Sequence, residues 1–307
     1  MILCAGEALI DMIPEETASG GTGFVPHTGG AVFNTAVALG RLGADAGLLT
    51  GLSRDQFGAL LEAELHRSGV RTELAIRSDR LTTLAVVHLK DGNATYTFYD
   101  ENSAGRGITP DDLPILPGTL ECLFFGGISL CNPPAAEAYV ALAARAARDA
   151  VLMVDPNVRP GFAEDVPAYR ARLQHLLGLA DIVKVSEEDL DWLYPNGDGI
   201  AALLGGAARL LLLTRGSDGV TAYLADGRDV SVPAERAEVV DTVGAGDTFN
   251  AGFLAEAQAL GLLTKGGFGP ETGLDALRRC LSLGARAAAV TVSRAGANPP
   301  WRSELPG

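Results

Sequence analysis

Six short apolar runs, at positions 2–5, 46–51, 122–126, 151–155, 182–185 and 210–214, are separated by longer helix-periodic segments, and this alternation restricts the fold more than any other feature. Short apolar runs bounded by turn residues suit strands covered on both faces, and helices between successive strands are the connections a parallel sheet requires. The periodicity predicts helices over 33–42, 57–68, 135–150, 169–177, 187–193, 245–263 and 272–290. The chain therefore reads as an α/β protein with a central, mainly parallel sheet and helices on both faces. Its 307 residues, 47% hydrophobic and 20% charged, suffice to bury such a core in one main domain. Two stretches break the rhythm: 82–89 and 94–99 alternate in polarity around K-D-G-N, a hairpin signal that a compact α/β unit does not need.

The richest chemistry lies in D-T-V-G-A-G-D-T-F-N-A-G-F-L, residues 241–254. Gly244, Ala245 and Gly246 let the backbone turn sharply into an apolar helix, whose first turn leaves amide donors unpaired at the positive end of the helix dipole. That end favours a phosphate or a developing negative charge. Asp247 sits inside the same turn. It is either a simple N-terminal cap or a general base with a fixed orientation beside an anion hole, and phosphoryl transfer needs both a base and an anion hole.

Composition excludes several function classes. A formal net charge of −14, from 24 Lys plus Arg against 38 Asp plus Glu, disfavours a nucleic-acid partner. Cys4, Cys122, Cys131 and Cys280 and the four histidines show no metal-ligand spacing. The N-terminus lacks a basic n-region and its apolar run is broken by Glu7, so neither a signal peptide nor a membrane span is expected, and a reducing cytoplasm is. There is no G-x-x-x-x-G-K-[ST], so any phosphate cradle must be the helix start at 244–246, and no G-x-G-x-x-G follows the first strand as a dehydrogenase would require.

Two further constellations stand at expected strand ends. Asp11 follows the first apolar run, and G-G-A-V-F-N, containing Gly29, Gly30 and Asn34, opens a helix. A carboxylate, flexible backbone and an amide suit vicinal hydroxyls, although each residue alone is equally a turn, cap or loop residue. D-P-N-V-R-P, 155–160, places Arg159 where α/β enzymes bind ligands, with a guanidinium that forks onto phosphate or carboxylate oxygens.

The 241–254 segment resembles the C-terminal motif of the ribokinase-like (PfkB) family of sugar kinases at every constrained position, and the likeness runs from the first strand to S-R-A-G-A-N at 293–298. The resemblance implies a ribokinase-like three-layer sandwich forming a single domain over 1–307, with a small β lid from about 12–30 and 72–105. It implies ATP-dependent phosphorylation of a primary sugar hydroxyl, with Asp247 as the base and the amides of Gly244, Ala245 and Gly246, with Arg159, stabilising the transferred group. It assigns Asp11, Gly29, Gly30 and Asn34 to the sugar, and Lys184, Ser186, Thr214, Gly216 and Gly219 to the nucleotide side. Asp189 would serve Mg²⁺ through water, and Asp241 a monovalent cation such as K⁺. Two departures stand out: Ser186-x-x-Asp189 replaces the family's Asn-x-x-Glu and reads equally as a helix start, and Val32 stands where a small residue is usual. G-G-A-V-F-N-T-A, D-P-N-V-R-P and K-V-S-E-E-D look most like bacterial fructokinases, which makes fructose the expected acceptor. The alternative is 2-keto-3-deoxygluconate, whose carboxylate would want a further cation such as Arg106; a different class of reading is a binding protein without catalysis. The resemblance also implies a homodimer formed through the lid.

Overall fold

The structure is a computed structural model and describes residues 1–90 and 93–305. Its strands, in chain order, are β1 (Ile2–Ala5), β2 (Leu9–Glu16), β3 (Thr22–Gly29), β4 (Ala46–Leu49), β5 (Gly51–Ser53), β6 (Ile76–Ser78), β7 (Leu84–Lys90), β8 (Asn93–Tyr99), β9 (Cys122–Gly126), β10 (Val151–Asp155), β11 (Ile182–Ser186), β12 (Leu210–Thr214), β13 (Val220–Leu224) and β14 (Asp229–Val232). The helices are α1 (Ala31–Arg41), α2 (Gln56–Arg67), α3 (Ala135–Ala146), α4 (Val166–Leu177), α5 (Glu187–Leu193), α6 (Gly199–Leu204), α7 (Ala245–Ala259) and α8 (Leu274–Val292).

The main sheet has eight strands in the order β14-β13-β12-β11-β10-β9-β1-β4. From β12 to β4 neighbouring strands are parallel, while β13 and β14 close the far edge as antiparallel strands. Alternate side chains of each central strand enter two different cores. Ile2, Cys4, Phe124 and Met153 pack with residues of α1, α2, α7 and α8, whereas Leu3, Ala5, Phe125 and Leu152 pack with residues of α3 and α4. Burial on both faces is why these strands are continuous apolar runs. From β1 the chain first builds β4 on one side and later returns to place β9 on the other. The order thus reverses at β1, and in such sheets the crevice at the carboxyl ends beside the reversal is where ligands bind.

A second sheet, in the order β3-β2-β7-β8, stands apart from the first, and β5 pairs with β6 in a third of two strands. Four details differ from the sequence reading. The run at 46–51 is split between β4 and β5, which belong to different sheets. Asp11 does not follow the first strand as part of its end; it lies inside β2, opposite His27 of β3, because the alternation from Leu9 to Glu16 builds a strand of its own. Residues 76–78 pair with β5, so the four-stranded sheet draws only on 9–29 and 84–99. The edge strands β13 and β14 and the short helix α6 were not predicted, since V-T-A-Y-L and D-V-S-V are too short to show a period. The central D-G of the expected K-D-G-N turn lies outside the described residues.

Candidate active site

Helix α7 starts at Gly244, whose φ of 77° is left-handed and so suits glycine. No side chain caps this end. Thr248 N–H donates to the Gly244 carbonyl at 2.9 Å and Ala245 N–H to the Thr242 carbonyl at a long 3.3 Å. Among the described residues the amides of Gly244, Gly246 and Asp247 have no partner. The open donors are therefore those of 244, 246 and 247, with Ala245 partly engaged, at the positive end of a buried helix.

Helix α1 reaches the same place. Its N-terminus is set by Gly30, at a φ of 105°, and Asn34 lies in its first turn. Asn34 Nδ2 donates to Asp247 Oδ2 at 2.9 Å, and Thr35 Oγ1 donates to the Asp247 carbonyl at 3.3 Å. Residues 213 positions apart thus meet where two helix starts converge. Asp247 is 8% exposed. Burial pushes its carboxyl up to about 7, with Asp155 and Glu7 adding to the rise and the Asn34 hydrogen bond and the Lys184 charge opposing it. A carboxylate poised near neutrality is what general base chemistry at pH 7 asks for.

The other residues expected on the sugar side are Asp11, Gly29, Gly30 and Arg106. Asp11 of β2 reaches over to Gly29 at the end of β3, where a β-carbon would collide with its carboxylate. It is half-buried, accepts no hydrogen bond among the described residues, and is pushed up to about 6 by burial. An acceptor left unused at a cleft is available to hydroxyl donors. Arg106 is in a different situation: it pairs with Glu164 at 2.6 Å and Asp100 at 3.8 Å and donates to the Pro133 carbonyl. It borders a small cavity together with Glu7, Thr83, Ser129 and Asn132.

Arg159 follows β10 just after Asn157, a non-glycine residue held at a φ of 40°. Its Nη1 donates to the Val158 carbonyl at 2.9 Å, and it forms no ion pair among the described residues. Opposite stands β8 of the second sheet. Phe98 meets Phe162, three residues beyond Arg159, edge to face at 4.4 Å between centroids, and Tyr96 lies 6.1 Å from Phe98.

The residues expected on the nucleotide side fall into two groups. Ser186 and Thr214 sit side by side at the ends of β11 and β12, and Gly216 and Gly219, both with positive φ, shape the turn into β13. Ser186 and Asp189 form a reciprocal cap on α5, and Asp189 also accepts from the Val158 amide at 2.7 Å. Asp189 is thus tied into the protein through both oxygens. Asp241 accepts from Val243 N–H at 3.0 Å and Gly296 N–H at 2.9 Å, joining the loop before α7 to the one after α8. Among the described residues no three His, Cys, Asp or Glu side chains cluster as metal ligands.

Lys184 lies deeper, 6% exposed, and donates to Asp155 Oδ2 at 2.9 Å. Asn250 of α7 donates to the same oxygen at 2.7 Å. The sequence reading missed Asp155 and Asn250, and it missed Glu7. Glu7 stands two residues beyond β1, where its carboxylate accepts from Ala31 N–H at 3.0 Å and Ser129 N–H at 3.2 Å. Each carried one usable signal: a polar residue closing or closely following an apolar strand, or facing inward in a buried helix.

The sequence profile described as pfkB family carbohydrate kinase matches residues 1–304. The chain is 49% identical over 268 residues to a fructokinase of Rhizobium leguminosarum bv. trifolii, covering 86% of this chain and 82% of that one. Among solved structures, the fructokinase of Xylella fastidiosa with bound ATP superposes with a TM-score of 0.84 at 29% identity, covering 99% of this chain and 94% of the other. The aminoimidazole riboside kinase of Salmonella enterica, complexed with aminoimidazole riboside and an ATP analogue, gives 0.81 at 26% identity, covering 96% and 94%.

Proposed function

Because the chain belongs to the pfkB family of carbohydrate kinases, we propose that it transfers the γ-phosphoryl group of ATP to a primary hydroxyl of fructose, with Asp247 as the base. The observation that carries the assignment is the 2.9 Å hydrogen bond from Asn34 to Asp247 Oδ2. It fixes one carboxylate oxygen at the crossing of two helix starts and leaves the other for the acceptor hydroxyl. The hydroxyl proton passes to that oxygen as the new O–P bond forms and the bond between the γ-phosphorus and the β,γ-bridging oxygen breaks, with ADP as the leaving group. Charge spreading over the phosphoryl oxygens in a loose transition state is met by the amides of Gly244, Gly246 and Asp247, with Ala245 completing the turn, and by Arg159. Lys184, Ser186, Thr214, Gly216 and Gly219 line the nucleotide side.

Asp11, with its unused carboxylate, and the backbone at Gly29 and Gly30 hold the sugar hydroxyls. Fructose is preferred over 2-keto-3-deoxygluconate because Arg106, the cation an acid acceptor would require, is already paired with Glu164 and Asp100. A catalytically silent binder would have no need of a carboxylate raised toward neutrality beside an open amide cradle.

Mg²⁺ bound with ATP would supply charge neutralisation; with no cluster of three acidic, His or Cys ligands among the described residues, it would be held by the phosphates and water, with Asp189 a water-mediated neighbour. Asp241, joining the loops on either side of the nucleotide, is the residue assigned to a potassium ion. The four-stranded sheet acts as a lid on the single domain, its aromatic face meeting the Arg159 loop through Phe98 and Phe162, and two lids pair in a homodimer. A strictly monomeric sedimentation profile at working concentration overturns the last point. Four unpaired, buried cysteines and the use of ATP support a cytoplasmic location.

The test is Mg²⁺- and ATP-dependent ADP release against fructose, 2-keto-3-deoxygluconate, ribose and adenosine. Turnover on fructose that disappears in Asp247→Asn is expected. Preference for the keto-acid overturns the acceptor, and undiminished turnover in Asp247→Asn overturns the mechanism.

A further inference from the structure

Beneath the glycine turn lies a buried polar cluster that neither the base nor the anion hole accounts for. Asp155 at the end of β10 is 3% exposed, Lys184 on β11 is 6% exposed and Asn250 in α7 is fully buried. Asp155 Oδ2 receives both Lys184 Nζ, at 2.9 Å, and Asn250 Nδ2, at 2.7 Å. Asp155 Oδ1 and Asn250 Oδ1 are buried without any partner among the described residues. A buried ion pair is a weak source of stability, because desolvation offsets most of its attraction, and a partly satisfied cluster is weaker still. Stability therefore gives no reason for these residues.

Position does. A β-carbon built on Gly246 would lie 3.3 Å from Lys184 Nζ, so the ammonium touches the turn whose amides are open. Asp155 is the one hydrogen-bonding partner of Lys184 among the described residues, and an ammonium has three donors, which leaves N–H groups for an anion at that turn. Despite its burial the lysine is held above its ordinary range: desolvation lowers it, but the charge and hydrogen bond of Asp155, with Asp189 and Asp247 beyond, raise it further.

We propose that Asp155 and Asn250 are positioning residues of the transfer step, holding the charged Lys184 ammonium against Gly246 so that it contacts the transferring phosphoryl group. This rests on the kinase reading above, and it adds that Asp155 acts through Lys184 and not on substrate. Three neighbours of one site are thereby coupled, since Asp247 feels both members of the pair: Asp155 and Glu7 raise its carboxyl, while Lys184 and the Asn34 hydrogen bond lower it.

The experiment is a double-mutant cycle of Asp155→Asn and Lys184→Met, read as kcat and as the acid limb of the kcat/KM profile for the sugar. Lys184→Met is expected to lower kcat by about a hundredfold, the usual loss when one transition-state donor is removed. Asp155→Asn is expected to lower it by roughly ten- to a hundredfold, the range for a partner that orients an acting group. In the double variant the losses should not multiply. The acid limb should move down in Asp155→Asn, which removes a negative neighbour of Asp247, and up in Lys184→Met, which removes a positive one. A merely structural role leaves the two kcat losses multiplying, since removing a charge near Asp247 moves the limb whatever else that residue does. Losses that multiply, or limbs that stay put or move together, overturn the proposal.

Should Asp155→Asn fail to fold, Asn250→Ala serves in its place, leaving the ion pair intact while removing its second anchor, and its loss of kcat should vanish in the Lys184→Met background. Asp247→Asn is run alongside. If it abolishes turnover while the cycle is additive, only the positioning role fails; if it leaves turnover intact, the kinase reading fails first.

Discussion

Two helix starts point into one cleft, and they are finished differently. At α1 the positive end is filled from within: the Glu7 carboxylate accepts from Ala31 N–H, and the Glu7 carbonyl accepts from Phe33 N–H at 3.2 Å. At α7 nothing resident fills it, and the amides of Gly246 and Asp247 stay open behind a left-handed Gly244. The closed end offers a neutral, fixed surface that presents Asn34, which suits an uncharged polyol. The open end attracts negative charge, which suits a phosphoryl group. The site is thus polarised by which terminus received a carboxylate.

The sharpest way to break that comparison is to remove the carboxylate that belongs to the open end. Asp247→Asn is expected to lower kcat by about a hundredfold or more, with little change in sugar affinity, because a positioned base contributes at least that much. The same variant should gain stability in a pH-dependent way. Asp247 has a folded pKa raised from 3.8 to about 7, so its favourable contribution is complete below 3.8 and is lost as pH rises through 7. At pH 8 Asp247→Asn should therefore be more stable than the parent by roughly a few kcal/mol, since each tenfold change in proton affinity is worth about 1.4 kcal/mol. The advantage should fade toward pH 4. Denaturant midpoints across this range check it; an advantage that is flat with pH would mean the carboxylate is not the buried, penalised group described.

Next in size is the open end itself. Gly246→Ala adds a methyl group 3.3 Å from Lys184 Nζ, in the space assigned to the phosphoryl group, while alanine suits a helix better than glycine. Activity is expected to fall about tenfold or more with the melting temperature unchanged or raised, since a displaced donor costs that much or more. A variant with normal kcat would show that the turn does not face the transferred group.

How much of this was legible follows from how local each signal is. The α7 start is contiguous, so its glycines, acid and apolar helix announce one another, and the alternating apolar runs 122–126, 151–155 and 210–214 coincide with β9, β10 and β12 residue for residue. The four-stranded sheet is assembled from 9–29 and 84–99, and nothing in either segment says that Leu9 starts a strand pairing with both Gly29 and the β7 hairpin. Asp155, Asn250 and Glu7 were missed for the same reason. Their partners lie 95, 95 and 24 positions away at Asn250, Asp155 and Ala31, and a lone polar residue ending a strand has no local companion to mark it. Ser186 and Asp189 show the converse: the resemblance implies water-mediated contact with Mg²⁺, the spacing reads equally as a helix start, and the hydrogen bonds form a reciprocal cap on α5 with Asp189 also holding the Val158 amide.

A smaller effect is expected at the lid. Phe98→Ala removes the edge-to-face contact with Phe162, worth about 0.5–1.5 kcal/mol beyond its buried area, from the seam between the second sheet and the Arg159 loop. If that seam shelters the sugar, KM for fructose should rise several-fold, by about the factor that such an energy implies, while kcat at saturation changes less. An equal fall in kcat with KM unchanged would instead make Phe98 a prop for Arg159.

The smallest change tests the closed end. Glu7→Gln keeps an acceptor for the α1 amides but removes a buried charge, so the loss of capping should stay near about 0.5–1 kcal/mol. Burial raises the Glu7 carboxyl above its ordinary range despite the hydrogen bonds that oppose the rise. Its stabilising share is therefore present below the ordinary carboxylate range and is lost as pH rises through the raised value, so the glutamine variant should lose least, relative to the parent, at high pH. Because Glu7 also raises Asp247, the acid limb of the kcat/KM profile should move down slightly. If Glu7→Gln left that limb in place and lowered kcat as severely as Asp247→Asn, the closed terminus would belong to the chemistry, and the division between a neutral sugar end and a charged phosphoryl end would have to be redrawn.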